Sequence, residues 1–527
     1  MAHDSRFSRQ PLRHERATMN WNPQILKTTG LLVALLAALT VRTAVAAPPA
    51  SFDPNFGNGG TVNVNISGAL GSGATSVALQ ADGGIVTAGT CDIPNSSQLC
   101  VARFTPLGAL DATFGGTGKV LTHVGPAWNS AKSVLVQSDQ KILVGGTCDT
   151  ATQTGFCFVR YTPTGTLDTS FGGGTGSVVV VVSGNYSELN AMALQSDGKI
   201  VGAGVCVSPT DDDFCATRLT STGALDLSFG GNGTGKAVLA AGPRNQTARA
   251  IAIQSDGKIV IAGGCDIAFV GGDIFCLLRL TPAGLIDATF HNGLLATIFG
   301  TREHRINSLT LQPDGAIVAG GECYDGATDQ FNLCVARYTD SGQPDASFGA
   351  GTGFVTTALF GYSGHGTSVL RQADGKIVLA GWCAQGSTEL FCAARYLANG
   401  APDATFAGGG YILFSFAFTA DRGQSAVLQP DGKLVLAGTC GQSSTPSNVC
   451  LARLMGGPNE FPQCSADIDG DGTVSSATDS VLLMRAALGF RGVALTQGIP
   501  FSSLATRNTN TLVRDYLFNH CGMRLSP

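Results

Sequence analysis

Three aspartates near the C-terminus have the spacing of a calcium loop. In the stretch DIDGDGTVS, carboxylates occupy positions 1, 3 and 5, and a glycine occupies position 6. An EF-hand loop uses this pattern because alternate carboxylates surround the ion while the glycine makes a sharp turn. Position 12 is a threonine, so we expect the last ligand from the following residue, in a loop one residue longer. A solvated acidic turn is the alternative. The predicted Ca²⁺ ligands are Asp467, Asp469, Asp471, Thr473, Ser475 and Asp479.

The segment around this loop resembles a type I dockerin repeat. The loop is followed by VLLMRAALGF, Val481 to Phe490, which is predicted to form the exiting amphipathic helix. A dockerin has two calcium loops, whereas Leu495 to Cys521 contains no second Asp-x-Asp-x-Asp, only a predicted helix around 511–518. The resemblance implies a small α-helical EF-hand or dockerin-like domain over residues 458–527. Binding to a cohesin scaffold does not follow, since half of the motif is missing.

The cysteines form a second regular pattern. There are 16, arranged as seven close pairs and one wider pair near the C-terminus. Disulfides are typical of oxidising compartments outside the cytosol. Zinc binding is the alternative, but spacings of 9 to 11 without histidine partners fit a zinc site poorly. The predicted disulfides are Cys91–Cys100, Cys148–Cys157, Cys206–Cys215, Cys265–Cys276, Cys323–Cys334, Cys383–Cys392, Cys440–Cys450 and Cys464–Cys521.

The N-terminus has the features of a secretory signal peptide. Lys27 precedes the apolar run GLLVALLAAL, Gly30 to Leu39, and Ala44 to Ala46 offers a small-x-small cleavage site. The apolar run is too short to span a bilayer comfortably. We therefore predict an N-terminal extension and signal peptide over residues 1–46, and no transmembrane helix in the mature chain. An uncleaved anchor is the alternative. The predicted location is secreted, periplasmic or at the cell surface.

The chain between these ends is a sevenfold repeat. A turn of sequence Asp-Gly, or once Asp-Gln, recurs every 57 to 60 residues. Asp-Gly favours a two-residue type I′ hairpin because it tolerates positive φ at both positions. One unit, Leu167 to Gly223, contains four strand-like runs, near Ser177–Val182, Ala191–Gln195, Lys199–Cys206 and Cys215–Leu219. The turns centre on Asp82, Asp139, Asp197, Asp256, Asp314, Asp374 and Asp431.

Seven such units predict an all-β, seven-bladed β-propeller of four-stranded blades. Sheets of this kind bury both faces only by packing against each other around an axis. We place this domain at residues 47–457 and expect 28 strands, from seven units of four strands each. A parallel β-solenoid is the alternative, but it has shorter coils and no Asp-Gly hairpins. The seventh unit lacks the Asp-x-x-Phe element that Phe52 to Gly57 supplies, so the N-terminal element is expected to fill the gap between blades seven and one.

Each unit also contains an Asp-x-x-Phe element and an arginine on its last strand. Sevenfold recurrence argues against catalysis, because an active site needs one asymmetric constellation. We predict that the phenylalanine is a wedge between blades and that the aspartate and arginine pair with each other or with backbone groups. The elements are Asp53/Phe56, Asp111/Phe114, Asp168/Phe171, Asp226/Phe229, Asp287/Phe290, Asp345/Phe348 and Asp403/Phe406. The arginines are Arg103, Arg160, Arg218, Arg279, Arg337, Arg395 and Arg453.

The repeat resembles a known family. ALQSDGKIVGAG followed by FCATRLTSTGALDLSFGG is similar to the Delta-60 repeat, also described as a β-propeller domain of unknown function. The similarity covers all seven units, from about Ser51 to Met455, with the turn, the arginine and Asp-x-x-Phe-Gly in fixed order. Repeat two departs from it at Asp139-Gln140, and the element at Asp287 lacks the final glycine. The resemblance implies a propeller in exported bacterial proteins and implies no known catalytic activity.

The loops that vary between repeats are the expected place for a ligand. In a propeller, the loops joining strands one to two and three to four of our units share one face, and only these loops vary here. Aromatic and arginine side chains at a propeller mouth suit a carbohydrate or a protein ligand. The ligand-binding candidates are Trp128, Tyr186, Arg244, His304, Tyr362 and His365, and Arg302 and Arg422 lie in equivalent loops.

The predicted function is that of an exported binding or structural propeller, with a carbohydrate or protein partner at the cell exterior. The alternative is a secreted polysaccharide-active enzyme, a lyase or a glycosidase, which needs a carboxylate pair or a His/Tyr/Arg cluster on the variable face. No motif joins the candidates, so no catalytic residue is assigned. A net charge of −5, with 13% charged residues, gives no indication of a nucleic-acid partner, which would need a basic face.

Overall fold

The computed structural model describes residues 49–456 and short parts of the C-terminal segment. The first range excludes 69, 185, 208–210, 240–243, 267–271, 299–302 and 442–445, and the C-terminal parts are 468, 478–487, 493–501, 509 and 513. The predicted signal peptide, the Cys464–Cys521 bridge and most of the predicted calcium loop lie outside these residues.

The described chain contains 28 strands in seven four-stranded blades, as the repeat count predicts. Blade 1 is β2 Ser72–Leu79, β3 Ile85–Ile93, β4 Ser96–Phe104 and β5 Lys119–Thr122. Blade 2 is β6 Asn129–Val136, β7 Ile142–Asp149, β8 Thr154–Tyr161 and β9 Ser177–Val180. Blade 3 is β10 Tyr186–Leu194, β11 Ile200–Val207, β12 Asp212–Leu219 and β13 Lys236–Leu239. Blade 4 is β14 Gln246–Ile253, β15 Ile259–Asp266, β16 Asp273–Leu280 and β17 Leu294–Thr297.

The remaining three blades complete the ring. Blade 5 is β18 His304–Leu311, β19 Ile317–Asp325, β20 Gln330–Tyr338 and β21 Phe354–Thr357. Blade 6 is β22 Ser363–Arg371, β23 Ile377–Gln385, β24 Thr388–Tyr396 and β25 Tyr411–Phe414. Blade 7 is β26 Arg422–Leu428, β27 Leu434–Cys440 and β28 Asn448–Leu454, with β1 Thr61–Val64 as its fourth strand. Short 3-10 turns occur at Gly172–Gly174, His291–Gly293 and Gly349–Gly351.

The blade boundaries differ from those expected from sequence. The sequence analysis places the run near Ser177–Val182 first in the unit that ends at Leu219, but Ser177–Val180 pairs with β8 of the preceding blade. The cause is the tight return through Asp-x-x-Phe-Gly, which folds the chain back along the strand that it has just left. Each blade therefore begins after the crossover loop, which joins the outer strand of one blade to the first strand of the next. The first strands of successive blades lie side by side around the central channel, and β26 lies next to β2.

The ring is closed by the N-terminal segment. Strand β1 pairs antiparallel with β28, from Thr61 opposite Ala452 to Val64 opposite Val449. The Asp-x-x-Phe element of this segment is also in place, since Asp53 pairs with Arg453 at 2.7 Å. The expectation that the N-terminal element fills the gap is confirmed, and a hydrogen-bonded strand adds to the expected packing.

The Asp-Gly turns are not the two-residue type I′ turns that the sequence analysis predicts. Between β10 and β11, the Gly198 N–H donates to the Gln195 carbonyl at 2.9 Å. Gly198 has φ of +83°, whereas Asp197 is not among the positive-φ residues of the described chain. This is a type I turn followed by a left-handed glycine, a common three-residue hairpin. The Asp197 carboxylate instead accepts the Lys199 N–H at 3.1 Å, so the aspartate acts through its side chain.

The repeated arginine pairs with the aspartate and with a backbone carbonyl, as predicted, and that carbonyl belongs to the next blade. In blade 3, Arg218 donates from Nε to Asp226 at 2.8 Å and from Nη1 to the Pro282 carbonyl of blade 4 at 2.5 Å. Its guanidinium lies 4.9 Å from the ring centre of Phe229, which is fully buried. The equivalent ion pairs are Arg103–Asp111, Arg160–Asp168, Arg279–Asp287, Arg337–Asp345, Arg395–Asp403 and Arg453–Asp53.

The seven close cysteine pairs are disulfides, as predicted, and each joins the second and third strands of its blade. Each bridge closes a loop of 9 to 11 residues next to the variable loops. A short closed loop of this length contributes about 2–3 kcal/mol to stability.

In the C-terminal segment the described residues include two helices, α1 Asp479–Ala487 and α2 Val493–Thr496. Leu482 and Ala486 of α1 pack against Leu495 of α2. The predicted helix over Val481–Phe490 is therefore confirmed as far as Ala487, whereas the one expected around 511–518 lies outside the described residues except at Val513. Among the described helices, none has the length and apolar character needed to cross a membrane.

Candidate ligand site

The first strand of every blade contains a β-bulge. In blade 4 the pairing register passes from Ala248 to Ala250, so Arg249 is the extra residue. A bulged residue has no partner in the ladder, and its side chain is re-aimed. We call the seven bulged residues the channel ring. They are Thr75, Lys132, Asn190, Arg249, Asn307, Thr367 and Gln424, all polar.

A cavity of about 430 Å³ opens at the channel mouth beside this ring. Further lining residues lie two positions before the bulge, Arg305 in blade 5 and His365 in blade 6. Both are near the start of the first strand, next to the crossover loop. This end of the channel belongs to the variable face, where the sequence analysis expects a ligand. The ring members that line the cavity are Asn190, Arg249, Asn307, Thr367 and Gln424.

A chain of charges crosses the cavity wall from blade 4 to blade 6. Arg305 donates from Nε to Asp273 at 2.8 Å and lies 3.4 Å from Glu322 through Nη1. Glu322 in turn pairs with His365, with 2.6 Å between Oε2 and Nδ1. Burial alone would raise the pKa of Glu322. The hydrogen bond from His365 and the charges of Arg305 and Arg249 outweigh it, so the pKa lies below its ordinary value and the carboxylate is ionised at neutral pH.

His365 also begins an aromatic stack. Its ring lies parallel to that of Trp382, with centroids 3.9 Å apart and an interplanar angle of 13°. The guanidinium of Arg422 lies 4.9 Å from the Trp382 ring centre. Glu389 fixes this arginine with two hydrogen bonds, of 2.6 Å from Nε and 2.5 Å from Nη2. The stack is therefore held at both ends by carboxylates, and its half-buried members His365 and Trp382 line the cavity.

The six ligand-binding candidates predicted from sequence do not all meet in this cavity. Of the six, only His365 is among the residues that line it. Trp128 and Arg244 are exposed elsewhere on the propeller, with 60% of Trp128 accessible. His304 is only 1% exposed, and its burial lowers its pKa. The remaining two are Tyr186, whose hydroxyl contacts Glu188, and Tyr362, half-buried against the core between blades 5 and 6.

Sequence reasoning missed the cavity residues other than His365, because it searched the loops, whereas these residues lie in strands. They include Arg249, Arg305, Glu322 and Trp382. A signal was present: the bulge motif reads GATS, SAKS, ELNA, TARA, RINS, HGTS and RGQS in the seven blades. Its second and fourth positions stay small or apolar, whereas the first and third change from blade to blade. Comparing repeats position by position isolates these changes.

Part of the predicted calcium site can be described. Asp479 is the first residue of α1 and is 1% exposed. Its Oδ1 accepts the Ile468 N–H at 2.5 Å, so the two ends of the predicted loop meet. The other five predicted ligands lie outside the described residues. In the part of the chain that the structure describes, no group of three or more His, Cys, Asp or Glu side chains is arranged to hold a metal.

Seven segments match one family model, described as "Domain of unknown function (DUF5122) beta-propeller". The first six segments each run from the hairpin turn to the phenylalanine of Asp-x-x-Phe, and the seventh ends two residues after β28. The matched residues are 80–114, 137–171, 195–229, 254–290, 312–348, 372–406 and 429–456.

Among curated proteins, none matches this chain in sequence. Similar solved structures include a protein of unknown function from Dyadobacter fermentans, with 15% identity, a TM-score of 0.40, and coverage of 76% of this chain and 99% of that one. An ulvan lyase of a new polysaccharide lyase family has 10% identity, a TM-score of 0.42, and coverage of 75% and 96%. Sqt1 from Chaetomium thermophilum has 10% identity, a TM-score of 0.35, and coverage of 72% and 82%.

Proposed function

From seven blades that each carry a match to a beta-propeller family of unknown function, we propose that this chain is an exported binding protein whose carbohydrate ligand docks in the channel-mouth cavity. One observation carries the proposal. The repeats share the hairpin turn, the interblade arginine and the Asp-x-x-Phe element, but at this mouth five neighbouring blades present different polar and aromatic side chains to one cavity. Holding the ring together does not require these side chains to differ, since an amide and a hydroxyl make the same contact with the next blade.

The shape of the site favours a carbohydrate over a protein surface. Ligand pockets for small molecules measure roughly 300–1,000 Å³, and a cavity of 430 Å³ falls in that range. A stable protein partner needs a broad contact of about 800 Å² on each side. The wall around Trp382 provides an apolar surface for a sugar ring. The Gln424 amide and the acceptor oxygens of Asn190, Asn307 and Thr367 provide hydrogen-bonding groups. Export is supported by the seven disulfides, which persist in oxidising compartments.

Replacing Trp382 with alanine should weaken glycan binding about tenfold or more, since buried aromatic anchors dominate binding energy. The measurement is a glycan array followed by titration calorimetry with the full chain. Trp128→Ala is the matched control, because Trp128 is an exposed aromatic residue of another blade that does not line the cavity. Equal binding by both variants, or uniform silence of the array, would contradict the proposal.

A lyase is the second candidate, favoured by the pair of His365 and Glu322. Glu322 holds Nδ1 of the imidazole, which leaves Nε2 as the available base. In a β-elimination, this nitrogen would take the proton from the carbon next to the sugar carboxylate, a carbon–carbon double bond would form, and the carbon–oxygen bond to the leaving sugar would break. The imidazolium would then return its proton to the departing oxygen. Incubating the full chain with the glycans that it binds decides between the two functions. Ultraviolet absorbance of an unsaturated sugar indicates the lyase, whereas glycans recovered intact indicate binding.

For the C-terminal segment we propose a single Ca²⁺ site that stabilises it. The support is the spacing of the aspartates and the closure of the loop by Asp479. Calorimetry with the full chain should detect one site, with a dissociation constant on the order of 10⁻⁴–10⁻³ M, as in extracellular calcium modules. Chelation should lower the melting temperature of this segment. Asp469→Ala should abolish binding, whereas Glu460→Gln, which changes an acidic residue a few positions before the loop, should not. Binding by both variants alike would refute the site.

A further inference from the structure

The channel ring carries positive charge without a balancing acid of its own. Its seven members include two cations, Lys132 and Arg249, and the other five are neutral amides and hydroxyls. Lys132 is exposed and does not line the cavity, whereas Arg249 does. Of the two ring cations, Arg249 therefore adds positive charge to the cavity lining and Lys132 does not.

Four of the shorter side chains in the channel ring already form a hydrogen bond with the next blade. Each of the four donates to the backbone carbonyl of the residue that precedes the neighbouring bulge. The pairs are Thr75 to Ala131 at 2.8 Å, Asn190 to Ala248 at 2.9 Å, Asn307 to Gly366 at 2.9 Å and Thr367 to Gly423 at 3.1 Å. These four side chains thus hold the first strands together around the channel.

Arg249 departs from this rule. Within the described chain it makes no hydrogen bond or ion pair, and its Nε is buried without a partner. The negative charges of Asp273 and Glu322 act on Arg249 from a distance. Both carboxylates form ion pairs with Arg305 instead, and Glu322 also pairs with His365. Burial and the charge of Arg305 lower the pKa of Arg249. The guanidinium nevertheless stays protonated at neutral pH, because its ordinary pKa lies far above 7.

A half-buried guanidinium whose Nε has no acceptor is unfavourable, because the lost hydration is not replaced by a hydrogen bond. The planar guanidinium fork matches a carboxylate or a sulfate, which can accept two parallel hydrogen bonds. We propose that Arg249 binds the oxyanion of an acidic carbohydrate, a uronate carboxylate or a sulfate ester. This inference rests on the proposed function and specifies its ligand class. The cavity beside Arg249 has room for about one sugar residue.

The test compares three probes on the full chain: glucuronate, inorganic sulfate and glucose, at matched ionic strength. Glucuronate, sulfate or both should bind measurably by calorimetry, and glucose should not. Arg249→Met should weaken binding of the acidic probes roughly 10- to 100-fold, the range expected for hydrogen bonds to a charged group. Comparing glucuronate with sulfate distinguishes the two sources of the oxyanion.

Arg371→Met is the matched control. Arg371 ends the first strand of blade 6 at the turn side of the channel, and its Nε is likewise buried without a partner, but it does not line the cavity. The control should bind the acidic probes as the unmodified chain does. Equal weakening by both variants would show a general charge effect and overturn the assignment. Retained binding by Arg249→Met would overturn it as well.

Two further readouts separate this inference from the proposed function. Without ligand, Arg249→Met should melt at a higher temperature than the unmodified chain, because it removes a buried cation; an unchanged or lower value would count against the inference. Among larger glycans, removing the acidic groups, by reducing carboxyls to alcohols and by cleaving sulfate esters, should abolish binding. If glycans without acidic groups bind equally well, the oxyanion assignment fails while carbohydrate binding stands. If no glycan binds in either form, the proposed function itself fails.

Discussion

Replacing Arg218 with leucine should lower the free energy of unfolding by about 3–5 kcal/mol, the usual effect of removing one partner of a buried ion pair. The side chains of Arg218 and Asp226 are 6% and 11% exposed. The substitution would leave the Asp226 carboxylate without its arginine and the Pro282 carbonyl of the next blade without its donor. The substitution therefore removes contacts from two blades at once.

The measurement is denaturant unfolding of the full chain, with Arg244→Leu as the control. Arg244 also pairs with an aspartate, Asp266, but at 3.5 Å and with 56% of its side chain exposed. Exposed pairs contribute about 0–1 kcal/mol, so the control should unfold almost as the unmodified chain does. Similar midpoints for the two variants would show that the interblade arginines do not stabilise the ring.

The effect should also depend on pH. Burial alone would raise the pKa of Asp226, but hydrogen bonds from Ser228 and the nearby Arg218 outweigh it, so the folded-state pKa lies below its ordinary value. A lowered carboxyl pKa contributes stability that is complete above the unfolded-state value, about 3.9, and is lost as pH falls through the folded-state value. The difference between the unmodified chain and Arg218→Leu should therefore shrink below about pH 4.

Sequence was sufficient for the features that recur seven times. An arginine and an aspartate eight positions apart, such as Arg218 and Asp226, carry little information once. Their sevenfold recurrence argues against chance and against a catalytic role, and it favours pairing, which the structure confirms. The disulfides were predictable for the same reason, since every close cysteine pair flanks the same hairpin loop.

Two features of the fold could not be obtained in this way. A cyclic repeat has no sequence mark for where one blade ends, so the short strand Ser177–Val180 was grouped with the wrong neighbours. The turn type depended on a choice between two and three loop residues, and Asp197-Gly198 suits both. Both the blade boundary and the turn type are set by backbone hydrogen bonds, which composition does not reveal.

The candidate site was only partly accessible to sequence for a different reason. Its members come from different blades, so Arg249 and Trp382 are separated by more than two repeats along the chain. Only the closed ring brings their strands to one channel mouth. The face could be inferred from loop variation, and His365 was found there. The bulges that aim the ring residues do not show in composition, because a one-residue register shift is revealed only when the seven repeats are compared position by position.

Removing residues 49–65 should destabilise the propeller more than any single substitution considered above. The deletion takes away strand β1, the fully buried wedge Phe56, and the Asp53 partner of Arg453. Loss of a buried phenylalanine costs about 3–5 kcal/mol, and an orphaned buried arginine costs a similar amount. Strand β28 would also become an exposed edge, which favours association between chains.

The decisive control moves the segment instead of deleting it. A permuted chain that begins at residue 66 and carries residues 49–65 directly after Gly456 would give blade 7 the order of the other six, in which the Asp-x-x-Phe element and outer strand follow the third strand. This chain should regain most of the lost stability and elute as a monomer, whereas the deleted chain should unfold at lower denaturant and associate. If the deleted chain unfolds at the same denaturant concentration as the unmodified one and stays monomeric, the blades pack stably without closure by strand β1. If the permuted chain is as unstable as the deleted one, linkage to the N-terminus, rather than pairing with β28, is what closes the ring.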